Sequence, residues 1–192
     1  MDRRIPTLET ERLIIRELTM DDLEAINNVL NKSFGWEIPL TERQRWLHWT
    51  VLGYEMFAML EQPHYGERAI VLKETGNIIG AVGIVPYLDT FNKVPVFKRN
   101  PDSPATAEVG LFWAIDPAHQ RKGYAPEATR AVMEYLFIHE KIGRIIATTG
   151  YDNLPSQKVM KKLGMKVQRL DEPQPPDQFV VGVLEKEDFQ KV

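Results

Sequence analysis

The sequence contains no cysteine. A chain without cysteine forms no disulfide, has no thiolate nucleophile and cannot bind a metal through sulfur. Covalent catalysis through cysteine is therefore excluded. The histidines are dispersed and form no ligand-spaced cluster with carboxylates, so no metal site is predicted. They are His48, His64, His119 and His139.

Long apolar runs are missing as well. No stretch approaches the roughly 20 apolar residues that span a bilayer, and the first residues, MDRRIPTLETERL, lack the apolar core of a signal peptide. These two absences predict a cytoplasmic protein. The formal net charge is −3 and no basic residues cluster on one face, which argues against binding to nucleic acid.

What the chain does contain suits one domain with a full core. Of its 192 residues, 43% are hydrophobic and 27% are charged, as in ordinary globular proteins. The chain shows no internal repeat, and no linker rich in proline, glycine and serine divides it. We therefore expect a single domain over residues 1–192.

One stretch, at 108–138, organises the rest of the chain. Its sequence is EVGLFWAIDPAHQRKGYAPEATRAVMEYLFI. The continuous apolar run at 109–115 predicts a buried central strand, which an Asp-Pro pair ends. A helix is predicted to begin near Tyr124 and to stop at Gly143.

The segment QRKGYA, at 120–125, joins this strand to this helix. Successive backbone N–H groups that lead into the first turn of a helix bind anions, and the helix dipole adds a partial positive charge. Gly123 permits a positive φ, and Ala125 leaves room for a bulky ligand. Arg121 and Lys122 supply positive charge. The sequence therefore predicts a diphosphate site at the C-terminal end of the strand.

This loop resembles the Q/R-x-x-G-x-G/A signature of the GNAT-type N-acetyltransferases. Two further stretches, TERLIIRE at 10–17 and NLPS at 153–156, are similar to the branch that includes the ribosomal-protein N-terminal acetyltransferases. The resemblance implies an enzyme that transfers an acetyl group from acetyl-CoA to a primary amine by direct attack in a ternary complex. The acceptor it implies is a peptide or protein N-terminus or a small-molecule amine.

The resemblance also implies an α/β (α+β) architecture, the acyl-CoA N-acyltransferase fold. In that fold helices flank both faces of a mixed sheet, whose central strand and the next one splay apart around the pantetheine. The residues themselves predict about six to seven strands. A helix is predicted from a capping box of Thr41 and Gln44 to about Leu60. The proline-rich stretch 86–107 predicts a long structureless loop over the acceptor cleft.

The residues that the resemblance implies for acetyl-CoA binding lie on the strand, in the loop and at the NLPS motif. Backbone N–H groups at 113–115 are expected to polarise the thioester carbonyl, the loop to bind the diphosphate, and Asn153 to hold the pantetheine. The full set is Trp113, Ala114, Ile115, Gln120, Arg121, Lys122, Gly123, Tyr124, Ala125, Asn153 and Ser156.

Two side chains are candidates for proton transfer. Many family members carry a tyrosine acid where this chain has Met160, so Ser156 is the candidate to hydrogen-bond and protonate the thiolate. Alternatively, Asn153 and Ser156 only begin a helix. Glu108 is the candidate base, acting directly or through water. The alternatives for Glu108 are a pair with a basic neighbour or a contact with the acceptor's amine.

The missing tyrosine keeps a second function open, that of a non-catalytic acyl-CoA-binding or regulatory module. A dinucleotide-dependent oxidoreductase is disfavoured because the loop has one glycine where that fingerprint needs three. Contacts with the acceptor are expected at Trp36, Glu37, Tyr87 and the 86–107 stretch. A monomer and a homodimer are both compatible with the sequence.

Overall fold

The computed structural model describes residues 4–89, 91, 94–97, 100, 102, 104, 106–174 and 178–189. Eight strands among these residues form one sheet in the order β1-β2-β3-β4-β5-β6-β8-β7. The strands are β1 (Leu8–Glu9), β2 (Leu13–Arg16), β3 (Gly66–Leu72), β4 (Ile78–Asp89), β5 (Thr106–Ile115), β6 (Arg144–Thr149), β7 (Lys166–Gln174) and β8 (Gln178–Glu185). The helices are α1 (Leu23–Phe34), α2 (Leu40–Met59), α3 (Tyr124–Ile138), α4 (Leu154–Lys162) and α5 (Lys186–Phe189).

The sheet is mixed, as predicted. The pairs β1–β2, β2–β3, β3–β4, β6–β8 and β7–β8 are antiparallel. By contrast, β5 and β6 run in parallel and pair at Val109–Ile145 and Gly110–Ile146. Eight strands exceed the six to seven predicted because β1 has only two residues, too few to show a period of two in the sequence.

The chain divides into two compact units, of which the first comprises Met1–Ile84 and Phe112–Tyr135. Its core lies between α1, α2 and one face of β3, β4 and the end of β5. Ala69 and Val71, two residues apart on β3, show which face of the strand this is, since alternate side chains share a face. The buried members are Leu18, Ile26, Leu30, Leu47, Ala69, Val71, Ala81 and Ala114.

The second unit comprises Val85–Leu111 and Leu136–Val192. Its core combines side chains from the segment between β4 and β5 with apolar residues of β6, β7 and β8. Phe91 and Phe97 stack there with ring centroids 5.3 Å apart. The buried members are Phe91, Val94, Phe97, Ile146, Leu170, Val181 and Val183.

The prediction of a structureless 86–107 stretch is wrong at both ends. β4 continues through Pro86 to Asp89, and β5 already begins at Thr106. Pro86 is tolerated because it lies beyond Ile84, the last residue of β4 in the register with β3, so its missing N–H removes no hydrogen bond from that pair. A 3-10 turn, Pro95–Phe97, lies between the strands; residues 90, 92, 93, 98, 99, 101, 103 and 105 lie outside the described chain.

Two helix ends also differ from the prediction. α2 begins one residue before Thr41, with Pro39 at the N-cap and no side-chain cap, so the predicted capping box is wrong. α3 ends at Ile138 rather than near Gly143. The N–H of Ile142 still bonds to the carbonyl of Leu136, after the chain turns at Lys141 with a φ of 56°. These contacts place Ile142 beside the helix although it lies outside it.

Candidate active site

The loop after β5 has an unusual backbone. Arg121 and Gly123 both have left-handed backbone, with φ of 62° and 85°. Before them, the one-turn 3-10 helix Pro117–His119 is capped by Asp116, whose Oδ1 accepts from the N–H of Ala118 at 2.9 Å. Alternating backbone of this kind turns successive N–H groups toward one concave surface.

The N–H groups of this loop are available to a ligand. In the described chain, those of Arg121, Lys122 and Gly123 donate none of the loop hydrogen bonds. Tyr124 and Ala125 follow in the first turn of α3, where N–H groups have no intrahelical acceptor. The Arg121 and Lys122 side chains are exposed. The arrangement has the features of an anion site at a helix N-terminus.

Gln120 ties the loop to the end of the central strand. Its Nε2 donates to the carbonyl of Ile115 at 2.9 Å, so its amide group contacts the protein's own backbone. Ala114 and Ile115 are buried and Trp113 is half-buried. The first unit thus brings together, on one strand, loop and helix, nine of the residues predicted to bind acetyl-CoA.

Arg12 is a residue that the sequence analysis missed. Its Nη1 donates to the carbonyl of Lys122 at 3.0 Å and its Nε to Oε2 of Glu127 at 2.7 Å. The guanidinium also lies 4.5 Å from the ring centroid of Tyr124. Through these contacts Arg12 links the loop to the first turns of α3.

Glu127 completes this anchor. Its Oε1 accepts from Thr10 Oγ1 at 2.6 Å and from the N–H of Arg12 at 3.1 Å. Burial alone would raise the pKa of Glu127, but the hydrogen bonds from Thr10 and Arg12 outweigh it, so the pKa is lowered. The carboxylate is therefore ionised at neutral pH. The TERL part of the N-terminal motif thus carries the anchor of the loop; the available signal was an arginine and a threonine in that motif.

In the second unit, Glu108 is buried and engaged with the protein's own side chains. Its Oε1 accepts from Thr106 Oγ1 at 3.0 Å and lies 3.6 Å from Nη1 of Arg144. Arg144 also pairs with Glu185, at 2.7 Å, and its guanidinium lies 4.9 Å from the ring centroid of Phe97. The sequence left three roles open for Glu108: a base, a partner of a basic neighbour, or a contact with the acceptor's amine. The structure contains the second of these, the pair of Glu108 with Arg144.

Asn153 and Ser156 lie at the start of α4. Oδ1 of Asn153 accepts from the N–H of Ser156 at 3.1 Å, which confirms the predicted N-cap. Ser156 is half-buried. Met160, one turn later, is fully buried, and a Cβ added to Gly182 would lie 3.1 Å from its sulfur. Met160, at the position where the resemblance implies a tyrosine acid in other family members, is therefore part of the core.

Residues expected to contact the acceptor lie in both units. In the first, Trp36 is exposed and stacks on Phe34 with centroids 4.3 Å apart, and Phe34 lies 5.9 Å from Phe112; Glu37 is exposed beside them. In the second, the Tyr87 hydroxyl is 2.8 Å from Thr148 Oγ1. Among the described residues, no group of three or more His, Asp or Glu side chains is placed to hold a metal ion, and no helix is long and apolar enough to cross a membrane.

Comparison with known proteins identifies the family. The sequence model of the Acetyltransferase (GNAT) domain matches residues 12–166. The uncharacterized N-acetyltransferase YnaD of Bacillus subtilis is 29% identical over 163 residues, 83% of this chain and 82% of the relative.

Two solved structures share the fold. One, from Vibrio cholerae, is proposed to be a ribosomal-protein-serine acetyltransferase; it has a TM-score of 0.71 and 20% identity, and the match covers 96% of this chain and 99% of that one. The other is an aminoglycoside acetyltransferase solved with coenzyme A, with a TM-score of 0.64, 17% identity and coverage of 94% and 98%. The chain therefore belongs to the GNAT acetyltransferases, enzymes that transfer an acetyl group from acetyl-CoA to an amine.

Proposed function

We propose that the loop at 120–125 binds the diphosphate of acetyl-CoA and that backbone N–H groups at 113–115 polarise the thioester carbonyl. The observation that carries the proposal is the set of N–H groups at 121–123, which lack acceptors in the described chain and lead into the first turn of α3. A single fixed donor at a developing oxyanion is worth about 3 kcal/mol.

The acetyl transfer needs a neutral amine, an oxyanion site and a proton for the departing thiolate. The amine nitrogen forms a bond to the carbonyl carbon, the bond from carbon to sulfur breaks, and coenzyme A leaves as the thiol. Ser156 as proton donor to the sulfur, Asn153 as a pantetheine contact and Glu108 as base remain predictions. The contacts of Glu108 with Thr106 and Arg144 favour an electrostatic or structural role for it.

We further propose that the acceptor is an amine with an apolar or aromatic group near the nitrogen. The exposed stack of Phe34 and Trp36 supports this, because it offers a planar apolar surface beside Phe112, and Phe112 immediately precedes the backbone proposed to bind the thioester. A peptide whose first side chain is apolar or aromatic and a small aromatic amine both meet the requirement. Since acetyl-CoA is an intracellular metabolite, we propose that the reaction takes place in the cytoplasm.

The test of the loop is calorimetric titration of acetyl-CoA into the wild type and an Arg121→Glu, Gly123→Trp double variant. Arg45→Glu is the control, since Arg45 is an exposed residue of α2. We expect binding by the wild type and the control and none by the folded double variant. A folded wild type that does not bind acetyl-CoA would overturn the proposal, and so would wild-type affinity in a folded double variant.

A further inference from the structure

Glu67 is an acidic side chain of the first unit with no assigned role. It lies on β3 opposite Gly83 of β4. Since Ala69 and Val71 of the same strand face α1 and α2, the two-residue alternation of a strand places Glu67 on that face as well. Its carboxylate therefore lies beneath the two helices.

One oxygen of the Glu67 carboxylate lacks a hydrogen-bond donor in the described chain. Its Oε2 is enclosed and accepts no hydrogen bond, and Glu67 takes part in none of the ion pairs found in the described chain. Burial raises its pKa, opposed in part by its own backbone N–H and by the charge of Arg43. A carboxylate removed from water without compensating donors is costly, and such groups cluster at functional sites.

Arg43 is the charged side chain whose attraction partly offsets the effect of burial on the pKa of Glu67. From α2 comes Arg43, whose Nε donates to Asn27 Oδ1 at 3.2 Å and whose guanidinium lies 5.1 Å from the Trp46 ring centroid. On α1, Asn27 and Asn31 accept hydrogen bonds from Arg43 and carry no charge. From β4 comes Gly83, which has no side chain to cover the carboxylate. Arg43 is thus committed to its own contacts on the helices.

Tyr54 of α2 is a polar side chain that contacts the backbone of Glu67, and its hydroxyl is already hydrogen-bonded. Its hydroxyl donates to the main-chain carbonyl of Glu67 at 2.6 Å and accepts from the N–H of Leu18 at 3.0 Å. Burial raises the pKa of Tyr54 to about 12, so it remains protonated at neutral pH. Tyr54 therefore holds the backbone of Glu67 in place, and its hydroxyl proton is not donated to the carboxylate.

The same face of the sheet carries the exposed aromatic surface. Phe112 of β5 packs against the core cluster that contains Ala69 and Ala81, and the stack of Phe34 and Trp36 lies on Phe112. One face thus presents a carboxylate with one oxygen that accepts no hydrogen bond in the described chain, an aromatic surface and the strand proposed to hold the thioester.

We propose that Glu67 binds the ammonium group of the acceptor and takes a proton from it before the amine attacks acetyl-CoA. This inference rests on the proposed function. One proton passes from the ammonium nitrogen to the carboxylate, which makes the nitrogen lone pair available. The nitrogen then bonds to the thioester carbon, its second proton accompanies the departing sulfur, and Glu67 returns its proton to water after the product leaves.

The test compares the wild type with Glu67→Gln, Glu108→Gln and the control Glu55→Gln, an exposed position of α2. Calorimetry measures acetyl-CoA affinity. Thiol release measures kcat/KM from pH 6 to 10 with three acceptors: a hexapeptide with a free N-terminus, spermidine and tyramine. For Glu67→Gln we expect acetyl-CoA affinity within about twofold of wild type and a loss of about 100-fold in kcat/KM at pH 7. The loss should shrink as pH approaches the acceptor's own pKa, because the free amine no longer needs a base.

Three outcomes overturn the role of Glu67. One is wild-type kcat/KM in Glu67→Gln, and a second is a loss that stays constant with pH, as a merely structural role would give. The third is the pH-dependent loss appearing in Glu108→Gln instead. A wild type that binds acetyl-CoA but acetylates none of the three acceptors also counts against Glu67, while leaving the proposed donor site intact. Lack of acetyl-CoA binding would instead remove the proposed function itself.

Discussion

Replacing Arg12 by alanine should weaken acetyl-CoA binding although Arg12 itself lies beneath the loop. The substitution removes the hydrogen bond to the carbonyl of Lys122, the pair with Glu127 and the contact with the Tyr124 ring. The loop would then lose the side chain that joins it to β2 and α3. Acetyl-CoA would have to order the loop at the moment of binding.

The magnitude follows from the geometry of these contacts. A hydrogen bond to a charged group contributes about 1.5 to 3 kcal/mol net. The Arg12 side chain is 40% exposed, so the lower value applies, since solvent screens exposed charges. If the ligand must supply about 1.5 kcal/mol of ordering, the Kd for acetyl-CoA rises about tenfold. Arg12→Lys should fall between, because one ammonium lacks the planar fork of the guanidinium.

Calorimetry with acetyl-CoA measures the affinity, and Arg45→Ala serves as the exposed control. A second donor, S-acetylpantetheine, lacks the diphosphate. Its turnover should be equal in the wild type and Arg12→Ala, whereas kcat/KM for acetyl-CoA should fall about tenfold in the variant. Thermal unfolding shows whether each protein is folded.

Two results would refute this reasoning. The first is a folded Arg12→Ala protein whose Kd for acetyl-CoA is within about twofold of wild type, which would mean that the loop keeps its shape without Arg12. The second is an equal loss with both donors. In that case Arg12 would support the protein as a whole rather than the diphosphate loop.

Three further predictions concern stability. Burial and Arg68 lower the pKa of His64 from 6.5 to about 4, so the contribution of neutral His64 to the free energy of unfolding is fully present above pH 6.5 and falls by about 3 kcal/mol toward pH 4. Urea unfolding of His64→Leu should not show this loss, and an equal loss in the variant would contradict the prediction. Because burial raises the pKa of Glu67, the contribution of its neutral form to stability is present below the unfolded pKa and is lost as pH rises through the folded pKa. The Tm of Glu67→Gln should therefore exceed that of the wild type at pH 8 and match it at pH 4; equal Tm values at pH 8 would count against this prediction. A Cβ at Gly80 would lie 2.4 Å from a backbone oxygen, so Gly80→Ala should lose about 2 kcal/mol or more; Gly143→Ala, with nothing within 4 Å of its Cβ, is the control, and equal urea midpoints would refute the clash.

The sequence predicts the central strand, the loop and the start of α4 because their signals act over a few residues. An apolar run ended by Asp-Pro, a glycine with φ of 85° and an asparagine N-cap each depend on immediate neighbours. The same locality explains the errors. Whether Pro86 ends a strand depends on whether its position would have to donate an N–H to a partner strand, and the partner β3 lies elsewhere in the sequence.

The anchor of the loop shows the limit of local reasoning more directly. Arg12 and Glu127 are 115 residues apart, and neither residue alone shows that it contacts the other. The motif in the TERL stretch indicates the family, but it does not predict that Arg12 bonds to the carbonyl of Lys122. The contact exists only because β2 and the first turns of α3 meet in the folded first unit.

Glu108, which is buried, and Glu67, which is half-buried with one enclosed oxygen, differ in the feature that decides their chemistry. Glu108 accepts a hydrogen bond from Thr106 and lies 3.6 Å from Arg144, so its charge is matched within the protein. Glu67 has an enclosed oxygen without a donor. A matched pair is costly to break and is retained in the folded state with or without substrate. An unmatched carboxylate gains most from a ligand that brings a positive charge, and a protonated amine is such a ligand. Where two acids compete for the role of base, the one with a carboxylate oxygen that has no hydrogen-bond donor among the described residues is the better choice.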